Sequence, residues 1–234
     1  MNQPKIKLTK KLFHKKWAYK AVFSAVYAHR ISRFGVDHTK NWCNSTNVFY
    51  HQYGVYRDPD PADLVQLGKL ATLMSEFISE DTKLHGEHNK VHLYFNDETM
   101  LPKMQESLSE FLVEIWQPEN ERELQIMKNN TNSVICNEYP YGLYKYKVIL
   151  KPSMPDDTRK SFREWEKKYD YTVICPSPST ISWLDGYSLW ASPPFIYVND
   201  NSTLMMFLLF VGEYVSRIEE FILKPADYVL KSTV

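Results

Sequence analysis

The sequence predicts an α+β protein built from two tandem β-α-β-β-α-β units that are related by internal duplication. Three short segments recur along the chain, and their shared order is the observation on which this prediction depends. A length of 234 residues suits two domains of about 100–130 residues each. The recurring pairs are residues 19–23 with 146–150, 93–97 with 196–200, and 113–118 with 220–225.

In the first unit, residues 1–118, hydrophobic periodicity predicts the elements one after another. Strands alternate apolar and polar residues, whereas apolar residues recur every three to four positions in the helices. The second strand is the weakest prediction because its segment is hydrophilic. The elements are a strand at 17–24, a helix at 63–78, a strand within 82–90, a strand at 91–95, a helix from Asp97 to about Leu112, and a strand at 113–116.

The second unit, residues 141–234, repeats this order. Its predicted helices begin at Asp, Ser or Pro residues, which are frequent at helix N-termini. Six elements in this order define the ferredoxin-like fold. They are a strand at 143–151, a helix from 155 through 169, a strand at 171–175, a strand at 195–198, a helix at 203–215 and a strand at 218–223.

Two segments fall outside the repeat. Residues 119–140 are predicted to link the units, with a loop at 129–133. The first unit is 24 residues longer between its equivalent tyrosines, most simply because of an aromatic-rich insertion at residues 29–60. Its segment 41–57 is either a flap that covers its own domain or a surface that a protein partner contacts.

Composition narrows the function classes. Lys+Arg and Asp+Glu both total 28, so the chain is neutral, unlike a strongly basic nucleic-acid binder or a membrane-surface protein. Charge is nevertheless uneven, because residues 1–40 have a net charge of +9 and residues 41–130 one of −8. Three widely spaced cysteines and the lack of an apolar signal segment predict a reducing, cytoplasmic location with no membrane partner.

Motifs for enzymes and cofactors are missing from the sequence. It contains no P-loop, dinucleotide-binding fingerprint, nucleophile elbow or catalytic Cys-His pattern. His85 and His88 have a spacing seen in metal sites, but no cysteine accompanies them. Asp97 and Asp200 follow equivalent strands, where helix capping explains them better than an acid pair does. The sequence therefore predicts no catalytic residue, no metal and no cofactor.

The sheet face that carries no helices is the most informative surface of the predicted fold. Lysines beside aromatic rings on such a face suit RNA or single-stranded DNA, because ammonium groups bind phosphates and ring faces stack on bases. The alternative is that the two faces pack on each other or on other subunits. Strand alternation places there Lys20, His92 and Tyr94 from the first unit, and Lys145, Lys147 and Tyr197 from the second.

The basic N-terminal segment extends this surface. Lys15, Lys16 and Trp17 lie in a run of lysines and aromatic residues. Such a run either grips a phosphate backbone or forms a solvated edge strand that resists aggregation. Arg30 and Arg33 continue the positive charge into the insertion.

These residues favour a non-catalytic protein that binds RNA or single-stranded DNA on a basic, aromatic sheet face. A protein-interaction or assembly subunit of viral or phage origin is the alternative, supported by the aromatic insertion and the apolar helix at 203–215. A third hypothesis is a metal-independent ribonuclease that uses His14 or His29 as its base. The sequence alone leaves all three open.

Overall fold

The chain divides into two compact units, Met1–Lys128 and Asn129–Val234. The described residues contain two five-stranded sheets, a two-stranded hairpin and eight α-helices, so the α+β class is confirmed for them. None of the described helices has both the length and the apolar character needed to cross a bilayer. The residues that the computed structural model describes are 3–45, 50–52, 55–57, 59–187 and 193–224.

The first unit begins with a short strand and then alternates strands with helices. Its strands are β1 (Lys5–Leu8), β2 (Tyr19–Ser24), β3 (Tyr50–Gln52), β4 (Val55–Arg57), β5 (Lys83–Glu87), β6 (Lys90–Phe95) and β7 (Leu112–Gln117). Its helices are α1 (His29–Phe34), α2 (Val36–Cys43), α3 (Pro61–Met74), α4 (Met100–Ser107) and α5 (Glu121–Asn129).

The five-stranded sheet of this unit has the order β1-β7-β2-β6-β5. β1 pairs with β7 in parallel, and the other neighbouring pairs are antiparallel. Side chains alternate along β2, where Ala21 and Phe23 are fully buried and Lys20 is half-buried. The core therefore lies on the Phe23 side of the sheet. The hydrophilic strand β5 forms an edge, which explains its weak sequence pattern.

The second unit has a sheet of the order β10-β11-β9-β12-β8. β8 pairs with β12 in parallel, and the remaining pairs are antiparallel. Its core combines β-strand residues such as Val148 with Phe162 and Phe207 from two helices. The elements are β8 (Ser133–Cys136), β9 (Tyr146–Leu150), α6 (Asp156–Glu166), β10 (Ile174–Pro176), α7 (Pro178–Leu184), β11 (Phe195–Val198), α8 (Asn201–Val211) and β12 (Val215–Leu223).

The two sheets have the same order when their strands are matched along the chain. In each, an N-terminal edge strand lies beside the last strand, which is followed by the first, third and second strands of the repeat. The pairing registers agree as well. Lys20 lies opposite Tyr94, and Lys147 lies opposite Tyr197. The tyrosines that the sequence matches therefore occupy corresponding strand positions.

The third sequence match is wrong in its register. It equates Ile115 with Ile222, but Ile115 pairs with Ala21, whereas the residue opposite the equivalent Val148 is Ile218. The match is therefore shifted by four residues. The shift arises because β12 is long: its first part pairs with β9 and its last part pairs with β8.

The segment 119–140 is more than a linker, because α5 and β8 occupy most of it. Leu124 and Met127 are buried at a helical spacing in α5. Ser133 and Ile135 are the buried, alternating residues of β8. The many charged residues of the segment hide this amphipathic pattern in the sequence.

The insertion at 29–60 is partly helical, because α1 and α2 lie within it. α1 packs so closely on β5 that a Cβ atom on Gly86 would lie 2.7 Å from the His29 Cα atom. Trp42 in α2 has its ring edge-on to Tyr27 at 5.8 Å, within its own unit. Phe49 and Tyr53, from the predicted partner surface, lie outside the described residues.

Candidate functional site

Three of the predicted residues share one face of the first sheet. Lys20 in β2 lies opposite Tyr94 in β6 and Trp116 in β7. His92 is two residues from Tyr94 and therefore on the same face, with its Nδ1 atom 3.5 Å from the Tyr94 hydroxyl. We call this surface of Lys20, His92, Tyr94 and Trp116 the first open face.

A tight turn at residues 13–17, which we call the His14 turn, lies against the first open face. The Phe13 carbonyl accepts hydrogen bonds from the amides of Lys16 and Trp17 at 3.1 and 3.0 Å. Between them, His14 and Lys15 have φ angles of 49° and 62°. A left-handed conformation costs a residue with a side chain roughly 1–2 kcal/mol. Backbone strain of this kind clusters at functional sites.

His14, Trp17 and Tyr94 form a compact set of rings that we call the first ring cluster. The His14 ring lies edge-on to Tyr94 at 4.8 Å and to Trp17 at 5.9 Å. The rings of Trp17 and Tyr94 are 6.4 Å apart. Tyr94 is 6% exposed beneath the turn, so its ring is closed to a base, whereas His14 is exposed.

Lys20 is held between two aromatic rings. Its Nζ atom lies 4.3 Å from the centre of the Trp116 ring and 5.1 Å from that of Phe13. Lys7 lies over the same Trp116 ring at 4.7 Å and forms an ion pair with Glu114 at 2.9 Å. Burial lowers the pKa of Lys20, although the Glu114 carboxylate opposes this shift. A cation–π contact positions an ammonium group without neutralising its charge.

Two further lysines flank Trp17. The Nζ atoms of Lys16 and Lys83 lie 5.0 and 5.5 Å from the centre of its ring. In the part of the chain that the structure describes, Lys16, Lys20 and Lys83 have no carboxylate within 4.0 Å of their ammonium groups. Three positive charges are therefore displayed around the His14 turn. Lys15, also exposed, lies on the turn itself.

The two histidines of this surface favour their neutral forms. Burial, followed by the charge of Lys83, lowers the pKa of His14. Burial, followed by the charge of Lys20, lowers the pKa of His92. An anion beside these lysines would oppose their charges and raise the pKa of both imidazoles.

The second unit contains a matching turn at residues 140–144, which we call the Tyr141 turn. The Pro140 carbonyl accepts hydrogen bonds from the amides of Leu143 and Tyr144, both at 3.2 Å. Tyr141 and Gly142 have φ angles of 54° and 73°. The hydrogen bonds and the two left-handed positions are therefore those of the His14 turn.

Tyr141, Tyr144 and Tyr197 form the second ring cluster. Tyr141 lies edge-on to Tyr144 at 6.1 Å and to Tyr197 at 5.8 Å, while Tyr144 stacks on Tyr197 at 5.7 Å. The buried Tyr144 hydroxyl donates a hydrogen bond to the Tyr171 carbonyl. Burial, followed by a hydrogen bond with Cys175, raises the pKa of Tyr144 to about 12. Tyr141 itself is 76% exposed.

The second open face, around Lys147 and Tyr197, contains an acidic residue, Glu219, as well as its lysine. Lys147 lies between Tyr197 and Glu219 in the strand register, with its Nζ atom 4.0 Å from the Phe195 ring. Glu219 is buried and forms an ion pair with Arg217 at 3.0 Å. The second open face is therefore closer to electrical balance than the first.

The structure does not bring Lys145 together with Lys147. Lys145 precedes β9 and forms an ion pair with Glu220 at 3.2 Å. Glu220 is the register partner of Tyr146, whose ring lies in the core, so this ion pair is on the other side of the sheet from Lys147. Alternation fails for Lys145 because the residue lies outside the strand.

Arg30 and Arg33 also lie apart from the lysines. Both are on α1, where Arg30 covers the Trp42 ring at 3.9 Å and Arg33 lies 5.2 Å from the Phe34 ring. α1 contacts the sheet at Gly86, whose Cβ direction is opposite to that of His85 on the open face. The two arginines therefore do not extend the lysine surface.

Several functional candidates were missed by the sequence reasoning. Phe13 and Trp116 hold Lys20, and Tyr141 and Tyr144 build the second ring cluster. A usable sequence signal for the tyrosines existed: each unit has ring residues five and two positions before the tyrosine that begins its first central strand. These are His14 and Trp17 before Tyr19, and Tyr141 and Tyr144 before Tyr146.

Acids and histidines form no metal centre in the described parts of the chain, where no group of three or more ligating side chains could hold an ion. The rings of His85 and His92 lie 5.8 Å apart across a strand pair. Asp200 caps α8 by accepting a hydrogen bond from the Thr203 amide at 2.8 Å, as predicted. The ribonuclease candidate His29 has its Nδ1 atom 2.6 Å from the His88 carbonyl oxygen.

No known protein-family model matches this chain, and neither a curated protein nor a solved structure resembles it to a significant degree.

Proposed function

We propose that this chain binds single-stranded nucleic acid, RNA or DNA, through the lysines and aromatic rings of its open sheet faces. The observation that carries the proposal is the set of ammonium groups held over rings in the first unit. Lys16, Lys20 and Lys83 are fixed by cation–π contacts, yet no described carboxylate neutralises them. Such groups are suited to phosphates, and neighbouring ring faces are suited to bases.

The two faces would contribute unequally to this binding. In the first unit, Tyr94 is buried and the Trp116 ring already contacts two lysines, so phosphate contacts dominate there. In the second unit, Tyr141 is open to solvent and the acid Glu219 lies among the cations, so base stacking dominates there. Neither role needs a catalytic residue, a metal or a cofactor.

We further propose that the two units are copies of one ferredoxin-like module. Their common strand order supports this origin, as do the matched pairings of Lys20 with Tyr94 and of Lys147 with Tyr197. An N-terminal edge strand, parallel to the last strand, is added to the six-element module in both units. Two unrelated modules would have no reason to share this addition.

The binding proposal is tested by titrating a labelled oligouridine and an oligodeoxythymidine against salt. We expect log affinity to fall linearly with log salt concentration, because lysines release counterions from phosphates. Replacing Lys16, Lys20 and Lys83 by Gln should reduce the slope by about 2, at roughly 0.7 per contact with a single strand. A triple Gln variant of the exposed Lys103, Lys128 and Lys168 is the matched control. No affinity at low salt, or a flat salt response, would remove the proposal.

Self-association is the second candidate function, and α8 is the observation that favours it. Leu209 is 86% exposed, and it shares the outward surface of α8 with other apolar side chains. Contiguous exposed apolar side chains mark protein interaction sites. Light scattering should show an oligomer that Leu209→Lys disrupts, and a monomer at high protein concentration would exclude this candidate. The other exposed residues are Met205, Met206 and Phe210.

A further inference from the structure

The His14 and Tyr141 turns correspond residue by residue. In each, one carbonyl receives two amide hydrogen bonds and the next two residues have positive φ. An inner ring follows three positions after the first ring, and a lysine follows six positions after it. A constant offset of 127 positions relates His14 to Tyr141, Trp17 to Tyr144, Tyr19 to Tyr146, and Lys20 to Lys147.

The ring geometry is repeated together with the backbone. The first ring of each turn lies edge-on to the strand tyrosine, at 4.8 Å in the first unit and 5.8 Å in the second. It also lies edge-on to the inner ring, at 5.9 and 6.1 Å. The inner ring and the strand tyrosine are 6.4 and 5.7 Å apart. Each unit therefore carries the same three-ring arrangement beside one lysine.

Packing alone does not account for the first ring of each turn. A ring that served to complete a core would be buried, but Tyr141 is 76% exposed and His14 is also exposed. Both rings sit on left-handed residues, a conformation that costs free energy wherever a Cβ atom is present. In each unit, therefore, a strained backbone position carries an aromatic ring that is exposed to solvent.

We propose that His14 and Tyr141 are the stacking residues of two equivalent base-binding sites, one in each unit. The inference rests on the proposed function and assigns its base contacts. An imidazole and a phenol share a flat aromatic face and hydrogen-bonding atoms, and the face is the part that stacks on a base. Lys20 and Lys147, opposite the strand tyrosines, supply the adjacent phosphate contact.

The test compares His14→Ala, Tyr141→Ala and the double variant for binding of a labelled oligouridine. Each single substitution should weaken binding at its own site roughly 5- to 150-fold, the range for loss of one base–aromatic stack, and leave the other site as in the wild type. The double variant should weaken both sites. The slope of log affinity against log salt should stay unchanged, because neither substitution removes a lysine. Oligodeoxythymidine in a parallel arm distinguishes RNA from DNA.

Conservative and control variants separate stacking from folding. His14→Tyr and Tyr141→Phe keep a ring at each site and should retain wild-type affinity. Tyr187→Ala removes another exposed tyrosine, 70% exposed, and should also bind as the wild type does. Far-UV circular dichroism of every variant should match that of the wild type. A loss of affinity in His14→Tyr or Tyr141→Phe would contradict the assignment of stacking.

A photo-crosslinking experiment gives a second readout. Oligonucleotides that carry 5-bromouracil should crosslink to the peptides that contain His14 and Tyr141. Wild-type affinity in both alanine variants, or crosslinks that avoid both peptides, would overturn the inference while leaving lysine-dependent binding intact. By contrast, failure of the wild-type protein to bind any strand would overturn the proposed function itself. Capture of a protein rather than an oligonucleotide by these surfaces would count against both.

Discussion

The two open faces share one backbone frame but differ in the residue that lies across from the central lysine. In the first unit Lys20 faces Trp116, whereas in the second unit Lys147 faces Glu219. The tyrosine on the other side of the lysine, Tyr94 or Tyr197, is the same type in both. Both lysines lie over a ring, but this strand position decides whether a second aromatic side chain or an acid lies across from the lysine.

This difference separates what the two units share from what they do not. The turns and ring clusters are backbone-determined and agree within about 1 Å in their ring spacings. Charge, by contrast, depends on individual side chains of the flanking strands and changes without disturbing the strand pairing. We therefore expect the geometry to be common to both units and the electrostatics to belong mainly to the first.

The largest effect should be the loss of stability when one buried phenylalanine is removed from the core of a single unit. Phe23 and Phe162 are fully buried in the first and second units, and either Phe→Ala substitution should lower the free energy of unfolding by about 3–5 kcal/mol. Urea denaturation followed by circular dichroism measures this. Under destabilising conditions, Phe23→Ala should remove most of the salt-dependent part of binding, and Phe162→Ala should remove a smaller part of it. The reverse pattern would contradict the division of charge between the units.

Next in size is the contrast between Lys20→Gln and Lys147→Gln. Lys20→Gln should lower the salt slope of binding by about 0.7, the value for one phosphate contact with a single strand. Lys147→Gln should lower it by less, because the carboxylate of Glu219 already lies across the strand from that lysine. Anisotropy titrations at several salt concentrations measure both slopes. Equal slopes for the two variants would show that Glu219 does not reduce the contribution of Lys147 to the salt dependence of binding.

A smaller effect on stability should come from the hydrogen bond of one inner ring, Tyr144, which the other inner ring, Trp17, lacks. The Tyr144 hydroxyl donates to the Tyr171 carbonyl, whereas the buried Nε1 atom of Trp17 has no hydrogen-bond partner among the described residues. Tyr144→Phe should therefore lower the free energy of unfolding by about 0.5–1.5 kcal/mol. Tyr141→Phe, at an exposed position, serves as the control and should be neutral. Identical stabilities of the two variants would argue against this hydrogen bond.

The smallest effect should be a pH dependence that belongs to the first unit. The pKa values of His14 and His92 lie below the ordinary histidine value in the free protein. A bound phosphate raises them, so binding takes up protons and affinity should increase as the pH falls from about 8 to about 6. The double variant His14→Tyr, His92→Gln should flatten this dependence. Affinity that rises with pH would contradict the sign of the coupling.

Local patterns predicted much of the fold and part of the site. The bounds of β11 agree with the predicted strand at 195–198, and alternation correctly placed Lys20 and Tyr94 on one sheet face, and likewise Lys147 and Tyr197. These predictions succeeded because the period of two along a strand is fixed by neighbouring residues alone. Helix α5 was missed because its few apolar residues lie among many charges.

Contacts between segments that are distant in the sequence could not be predicted from local sequence patterns. No local periodicity indicates that the His14 turn folds back over Tyr94 and buries it, since this ring contact joins the residues before β2 to a residue of β6. The position of α1 at Gly86 likewise depends on a contact between distant segments. Arg30 was therefore expected to continue the basic surface, but it lies on a helix on the other side of the sheet.

Lys15 and Gly142 occupy the same position in the two turns, and both have positive φ. Glycine adopts this conformation without steric penalty, whereas lysine does not. Lys15→Gly would therefore relax the backbone and delete a cation in one step. In the first turn, a strained backbone position therefore carries a long, exposed, positively charged side chain where the second turn has an unstrained glycine.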